Sequence, residues 1–471
     1  MNNKARNFFN NISYTLSSNL ISLVVSSLIV LLVPKLIGIE EYGYWQIYLF
    51  YSTYVGFLHF GWCDGIYLRY GGQKYDDLNK TLFFSQFYMF VILQLFIAAI
   101  LLSIPFFINL NINREFIFQM IAINLIITNI KSMLLFVLQC TNRLKEYAKI
   151  IIVEKIFYSI LITFFLFLGS REYELMIIAD LCGKFLSLLY SIYFCKDIVF
   201  KKITFFYFSL NETIKNISTG IKLMFANIAS LLIIGVVRFG IERTWDVNTF
   251  AKISLTLSLS NFLMIFVNTI GIVMFPILRR TDEKKLPNIY FTIRNVLMVF
   301  LLGFLTLYYP IKTILLLWLP QYQESLKYLA ILFPMFLFEG KTSLLINTYL
   351  KSLRKEKIIL KVNMITLSLS IIITFLSIIT IKSLDFAVIS IVLLLAIRST
   401  LSEVYLNKFL NLKILKNIVI EMIMSIVFII SSWYLNSGSL IIYGIAYLAY
   451  LLMNKKNLIN SLYNLKVLFK L

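Results

Sequence analysis

Charged side chains interrupt several apolar stretches of this chain. The segment GWCDGIYLRYGG (61–72) places Asp64 among aromatic and aliphatic residues, with Arg69 a little further along. Burying one ionised side chain at the centre of a bilayer costs about 2.5–3.5 kcal/mol on insertion scales. Such residues either form ion pairs that hold helices together, or line a water-accessible cavity in which they bind ions and polar solutes.

Further charged residues lie away from the ends of the predicted helices. With Asp64, they are Lys131, Asp180, Lys184, Arg238, Glu339, Lys341, Arg398 and Glu403. Lys252 and Glu421 lie closer to the predicted helix ends, where a charged side chain extends toward the membrane surface to reach water. The first set therefore supplies the candidates for a functional site.

Spacing predicts partners for some of these candidates. Asp180 and Lys184 are four residues apart, hence on one helical face, where they neutralise each other. Arg238 lies one turn from Glu242, which makes an ion pair near the membrane surface the simpler interpretation. A role in binding is the alternative for each of them.

Two other candidate pairs have less favourable spacing. Glu339 and Lys341 flank a glycine in an otherwise apolar run, and they cannot both face lipid. Arg398 and Glu403 are five residues apart, a poor spacing for a helical pair, so different partners are expected for them.

Small polar residues form stripes on three predicted helices. Such stripes usually mark close helix packing, and the alternative is a water-accessible cavity. The stripes are Thr15, Ser18, Ser22 and Ser26; Ser254, Ser258, Asn261 and Asn268; and Asn363, Thr366, Ser370, Thr374 and Ser377.

The composition indicates a membrane protein. Hydrophobic residues make up 60% of the 471 residues, above the share typical of soluble domains. The sequence contains no Walker A motif and no H-E-x-x-H motif, and its single histidine leaves little for acid–base catalysis. The four cysteines have no paired spacing, so neither a disulfide framework nor a zinc site is expected.

About fourteen stretches are long and apolar enough to cross a bilayer as helices. The predicted spans are 12–37, 43–67, 82–106, 116–140, 149–169, 174–195, 217–240, 249–276, 289–310, 325–349, 361–381, 385–406, 416–434 and 438–453. About thirty lysines and arginines lie in the even-numbered loops and the termini, against about seven in the odd-numbered loops. Under the positive-inside rule, both termini are cytoplasmic, and no cleaved signal segment is expected.

The basic, aromatic stretch 196–216 is the longest predicted piece outside the spans. It is expected to lie along the cytoplasmic membrane surface and to separate two lobes. The predicted organisation is an N-terminal six-helix lobe (1–200), an interfacial linker (201–216), a C-terminal six-helix lobe (217–412), and two extra helices with a basic tail (413–471). The fold class is therefore all-α integral membrane.

Several segments resemble bacterial polysaccharide repeat-unit flippases. These are YTLSSNLISLVVSSLIVLLVPKLIGIEEYGYWQIY, GWCDGIYLRYGG, VVRFGIERTWDVNTFAKISLTLSL, FPILRR and LPQYQESLKYLAILFP. Such flippases form the O-antigen and capsule branch of the multidrug/oligosaccharidyl-lipid/polysaccharide exporter superfamily. The resemblance covers most of the chain, but the last two helices contribute least to it.

The resemblance implies two six-helix lobes around a central cavity that opens alternately to each side of the bacterial cytoplasmic membrane. The implied substrate is an undecaprenyl-pyrophosphate-linked oligosaccharide, and the implied partners are membrane lipids and the polymerase and chain-length proteins of the same pathway. No nucleic acid, metal or cofactor is expected, and coupling to a proton or sodium gradient is left open.

The resemblance also suggests roles for the charged candidates. A cationic lining suits a pyrophosphate, and its candidates are Lys131, Lys184, Arg238, Lys341 and Arg398. The candidates for ion coupling or gating are Asp64, Asp180 and Glu339. Asp64 has a simpler alternative, a local ion pair with Arg69.

Three alternatives remain. A cation-coupled drug antiporter of the same superfamily would share the fold, but it should have a cavity dominated by acids. A peptidoglycan-precursor flippase is separated from the main interpretation by motif resemblance alone. A polysaccharide polymerase is expected to place catalytic arginine or histidine on a large outer loop, and the outer loops predicted here are short, with 310–325 as the one exception.

Overall fold

The structure is a computed structural model of the chain. It describes residues 24–262, 283–410, 414–435 and 438–469, together with residues 21, 264 and 412. Some predicted features lie outside these residues: the start of the first span with Thr15, Ser18 and Ser22, the end of the eighth span with Asn268, and the FPILRR segment.

The described residues form helices and short helical turns joined by loops, without a strand among them. The helices are α1 (Val24–Leu36), α2 (Ile39–Val55), α3 (Trp62–Tyr70), α4 (Lys80–Phe107), α5 (Ile112–Cys140), α6 (Leu144–Phe167), α7 (Tyr173–Phe194), α8 (Leu210–Thr244), α9 (Val247–Phe262), α10 (Leu286–Trp318), α11 (Pro320–Leu332), α12 (Met335–Ser352), α13 (Glu356–Ile381), α14 (Leu384–Leu410), α15 (Leu415–Tyr434) and α16 (Ser439–Phe469). The all-α prediction is confirmed for this part of the chain.

Nine of the helices found in the described ranges are long and apolar enough to cross a membrane, and the bent pair α11–α12 raises the number to ten if it is one span. The chain is therefore a multi-span membrane protein. The nine are α4 to α8, α10, and α13 to α15. The predicted count of fourteen stays a prediction.

The predicted second span is broken into α2 and α3. Between them, Phe60 and Gly61 adopt left-handed backbone conformations, with φ of 52° and 82°. A glycine adopts this conformation without steric cost, and the conformation ends an α-helix. A second break separates α11 from α12, which are bent by 41° on either side of Pro334. Proline cannot continue the helical hydrogen bonding of the residues before it.

Some boundaries differ from the sequence prediction. Helix α8 begins at Leu210, inside the segment expected as a linker, and α16 continues to Phe469 through residues expected as a basic tail. In the basic stretch 196–216, Lys196–Val199 forms a single helical turn and Ile203–Phe205 a short 3-10 turn. The apolar pattern used for prediction marks the part of a helix inside a bilayer, so it misses helical turns that extend beyond it.

The chain divides into two compact units, Met1–Ile228 and Ala229–Leu471. In the first unit α5 is the most enclosed span: 67% of its most apolar stretch is buried, against 17% of the corresponding stretch of α4. In the second unit α14 is the most enclosed span, with 56% of its most apolar stretch buried. The predicted four-part organisation, with boundaries at 200, 216 and 412, stays a prediction.

Candidate functional site

A quartet of fully buried charges lies inside the second unit. It consists of Arg294 on α10, Lys341 on α12, Glu403 on α14 and Glu421 on α15. Arg294 Nε lies 2.6 Å from Glu403 Oε1, and Arg294 Nη2 lies 2.7 Å from Glu421 Oε1. Lys341 Nζ lies 2.8 Å from Glu403 and 2.9 Å from Glu421. Each cation thus touches both carboxylates, and the quartet is electrically neutral.

Local structure positions the members of this quartet. Tyr290 lies one turn before Arg294 on α10, and its hydroxyl donates to Glu403 Oε1 at 2.9 Å. Lys341 begins the π-helical stretch of α12, Lys341–Ile346, which widens the helix at this point. All four charged side chains are at most 2% exposed. Because these side chains are almost inaccessible to solvent, their charges are balanced mainly by one another.

A second, less enclosed charged group surrounds Arg398 on α14. Its Nη1 donates to Glu339 at 2.9 Å, its Nε to Asn363 at 3.0 Å and its Nη2 to Ser230 at 2.7 Å. The Arg398 side chain is 5% exposed, but its partner Glu339 is 24% exposed. The predicted separation of Arg398 from Glu403 is confirmed, and we call this group the Arg398 site.

The polar stripe of α13 contributes to this region in two ways. Asn363 accepts a hydrogen bond from Arg398, whereas the Ser370 hydroxyl donates to the carbonyl of Ile233 on α8 at 2.7 Å. Thr366 and Ser377 bond to carbonyls of their own helix. Most of this stripe therefore supports close packing, and its first member also holds a charged side chain.

The first unit contains two neighbouring ion pairs. Lys131 on α5 pairs with Glu154 on α6, and the Ser187 hydroxyl donates to the same carboxylate at 2.9 Å. On α7, Lys184 Nζ lies 2.6 Å from Asp180, which confirms the pair predicted from spacing.

Asp180 and Lys184 each form a further hydrogen bond. The Tyr48 hydroxyl donates to Asp180 at 2.7 Å, and Lys184 also donates to the amide oxygen of Asn124 at 3.0 Å. The side chain of Lys184 is 14% exposed and that of Asp180 is 9% exposed. This pair is thus nearly enclosed, and each of its two charged groups has one further hydrogen-bond partner.

Asp64 lies in a tight crossing of α3 and α8. A Cβ added to Gly65 would overlap the backbone of Asn216, and one added to Gly220 would overlap the backbone around Gly61. Asp64 Oδ2 lies 3.6 Å from His59 Nε2.

The predicted partner of Asp64, Arg69, binds elsewhere. Arg69 donates to Glu212 at 2.7 Å and to Asn216 at 2.6 Å, both on α8. The prediction of a local Asp64–Arg69 pair is therefore wrong. Asp64 lies in the first turn of α3, which begins at Trp62 directly after the left-handed Gly61.

The remaining candidate, Arg238 on α8, lies near α9. Its Nη2 donates to the Ser254 hydroxyl at 3.1 Å, and its guanidinium carbon lies 5.4 Å from the ring centre of Phe250. Lys252, expected near the surface, pairs with the exposed Glu324 at 2.8 Å.

Four of the predicted cationic candidates each contact a carboxylate: Lys131, Lys184, Lys341 and Arg398. An anionic ligand would therefore have to replace a carboxylate at these side chains. The structure brings Lys341 together with three other charged residues, and it places Arg398 with Glu339. Lys131, Lys184 and Asp180 lie in the other unit.

Sequence reasoning missed Arg294 and Glu154, and it placed Glu421 near a surface although its side chain is 2% exposed. Arg294 carried a usable signal, since it interrupts the apolar run of the predicted ninth span. Glu154 follows only from its packing against Lys131. Glu421 was misplaced because the predicted thirteenth span begins at 416, which put it only one turn inside.

A comparison with solved structures finds transporters of one superfamily. The lipid II flippase MurJ, in an inward closed conformation, has a TM-score of 0.64 at 14% identity and covers 95% of this chain and 99% of that chain. A multidrug resistance MATE family transporter of the MOP superfamily, in an inward-facing conformation, has a TM-score of 0.61 at 11% identity and covers 83% of this chain and 98% of that chain.

An outward-facing MATE family transporter has a TM-score of 0.52 at 11% identity, over 85% of this chain and 95% of that chain. No family model matches the sequence, and no curated protein sequence matches it significantly. At these identities the likeness shows the fold: this chain has the fold of MOP-superfamily transporters. The fold that the predicted superfamily implies is therefore supported.

Proposed function

We propose that this protein is a flippase of the bacterial cytoplasmic membrane, with both termini in the cytoplasm. It moves polyprenyl-pyrophosphate-linked oligosaccharide units to the outer leaflet by alternating access, for the synthesis of a surface polysaccharide such as O-antigen or capsule. Its partners are the lipid-linked oligosaccharide, membrane lipids and the polymerase and chain-length proteins of that pathway. It uses no cofactor and is driven by a proton or sodium gradient.

The Arg398 site carries this proposal. Charged residues inside membrane-spanning helices are costly and commonly mark a functional site. Glu339, the carboxylate partner of Arg398, is 24% exposed, so this pair is more accessible than the buried quartet. Arginine matches the oxygens of a pyrophosphate through its planar fork of donors, and the amide and hydroxyl beside it suit a hydrated sugar.

The ion pair at Arg398 also suggests how transport is coupled. A pyrophosphate that binds Arg398 displaces Glu339, and the released carboxylate then takes up a proton or a sodium ion. Lys184 and Asp180 offer the same exchange in the first unit, because they too form a pair with nearby polar ligands. The fully enclosed Lys341 has a structural role in this proposal.

The extent of the structural likeness favours a flippase over a drug antiporter. The MurJ alignment leaves 5% of the 471 residues uncovered, about 24, fewer than the 57 residues of 415–471. It therefore includes part of the α15–α16 segment. The MATE alignment leaves 17% uncovered, about 80 residues, enough to omit this segment altogether.

A peptidoglycan-precursor flippase is the second candidate, because the structure of the lipid II flippase MurJ covers this chain so completely. A cation-coupled drug antiporter is the third, supported by the likeness to MATE family transporters. The three candidates differ in the substrate that accumulates when the protein is absent.

The test is deletion of the gene in its host, followed by quantification of polyprenyl-linked oligosaccharides and surface glycan. The proposal expects complete lipid-linked units to accumulate and the surface polymer to disappear. Accumulation of the peptidoglycan precursor would support the second candidate instead. Unchanged lipid-linked pools with increased drug sensitivity would support the antiporter, and unpolymerised units in the outer leaflet would identify a polymerase.

A further inference from the structure

An apolar groove runs along the first unit between α1 and α6. Its volume is about 350 Å³. Two helical stripes line it, one from Leu28 to Leu36 on α1 and one from Ser159 to Phe167 on α6. The α1 stripe spans about 12 Å at 1.5 Å per residue. An apolar stripe thus borders the groove on each side.

The groove has a buried floor and exposed rims. Val33 and Ile162 in the floor are 0% and 2% exposed, whereas the rim residues Leu28 and Phe167 are 49% and 90% exposed. The Thr163 hydroxyl on this face is bonded to the carbonyl of Ser159. The groove is thus lined by apolar atoms and is open at the surface of the first unit.

One end of the groove is lined by a basic side chain, Arg171, and the acidic residue that follows it in the chain, Glu172, is not among the residues that line the groove. Arg171 lines the groove there and is exposed, and its Nη1 donates to the carbonyls of Leu166 at 2.9 Å and Ser170 at 3.1 Å. These two bonds hold the guanidinium at the end of α6, while its Nε and Nη2 donate to no described protein atom. Glu172 follows it and is exposed as well.

We propose that this groove binds a zwitterionic glycerophospholipid. One acyl chain lies between the α1 and α6 stripes, the phosphate accepts from Arg171, and the headgroup ammonium faces Glu172. An anionic headgroup without the ammonium would meet Glu172 as a like charge, which is why the zwitterionic class fits better. This site is separate from the Arg398 site, and the proposal does not depend on the transported substrate.

The test is native mass spectrometry of the purified full-length protein titrated with phosphatidylethanolamine, phosphatidylglycerol, diacylglycerol or polyprenyl phosphate. The wild type should bind one phosphatidylethanolamine more tightly than the other three. Arg171→Gln should weaken this binding about tenfold or more, because it removes a charge-assisted hydrogen bond. Because Arg171 is exposed, the variant should fold as the wild type does, which gel filtration checks.

A matched pair of variants tests the groove itself. Ser159→Trp fills the groove and should abolish the bound phospholipid, whereas Ile160→Trp, whose residue is 58% exposed and does not line the groove, should retain it. Equal binding by these two variants would overturn the proposal. So would equal affinity for diacylglycerol, tighter binding of phosphatidylglycerol, or binding of polyprenyl phosphate alone.

Discussion

Replacing Lys341 by methionine tests the buried quartet. Methionine keeps most of the side-chain volume but removes an ammonium that lies 2.8 Å from Glu403 and 2.9 Å from Glu421. The quartet then changes from neutral to one net negative charge, with Arg294 facing two carboxylates. Removing one partner of a buried ion pair typically costs 3–5 kcal/mol. We expect a loss of about 3–5 kcal/mol in the free energy of unfolding.

The second half of this prediction is rescue. Lys341→Met combined with Glu421→Gln restores neutrality, so the double variant should lose at least about 1 kcal/mol less than the sum of the single losses. Stability is measured by titrating SDS into mixed micelles and following tryptophan fluorescence. Lys215→Met is the control, because its surface pair with Glu212 should contribute only about 0–1 kcal/mol.

Two results would refute this reasoning. One is additivity of the single losses within about 0.5 kcal/mol, which would mean that the charges do not interact. The other is a Lys341→Met protein that is as stable as the wild type but does not transport. That outcome would return Lys341 to the cationic lining predicted from the sequence.

Three further predictions follow from the described contacts. Gly65→Ala should lower thermal stability by at least about 1 kcal/mol because its Cβ meets the α8 backbone, whereas Gly444→Ala, with open space around it, should be neutral or stabilising in a thermal unfolding assay. Glu154→Gln should destabilise by about 3–5 kcal/mol by leaving Lys131 buried, and Lys131→Met in the same chain should restore part of that loss in the SDS titration. Arg398→Lys keeps the charge but loses the fork that reaches Glu339, Asn363 and Ser230, so complementation of a deletion strain should fall about tenfold or more at equal protein level. Full complementation by Arg398→Lys would contradict the assignment.

Much of the fold follows from hydrophobicity alone. Each described helix of 20 residues or more overlaps a predicted span, because lipid leaves the backbone no partner except its own helix. Hydrophobicity does not encode where a span breaks. The break before α3 depends on the left-handed Gly61 and on the close approach of α8, a contact between segments far apart in sequence.

Most charged residues of the candidate site were predicted from the sequence, with Arg294 and Glu154 as exceptions, but only one of the pairings was. The i,i+4 spacing of Asp180 and Lys184 fixed their contact, since one helix supplies both. Glu339 and Arg398 lie on different helices, so only tertiary packing pairs them. The same holds for Arg69, whose partners on α8 replaced the nearby Asp64.

Movement of lipid-linked oligosaccharides across a membrane is the function proposed for this chain. For the most direct measurement, the purified protein is reconstituted in liposomes with polyprenyl-pyrophosphate-linked oligosaccharide from the host. The fraction of the oligosaccharide that an added glycosidase can cleave is then followed over time. The account predicts translocation by the wild type and a rate about tenfold or more lower for Arg398→Gln at equal reconstitution. Translocation no faster than in protein-free liposomes, under both proton and sodium gradients, would contradict it.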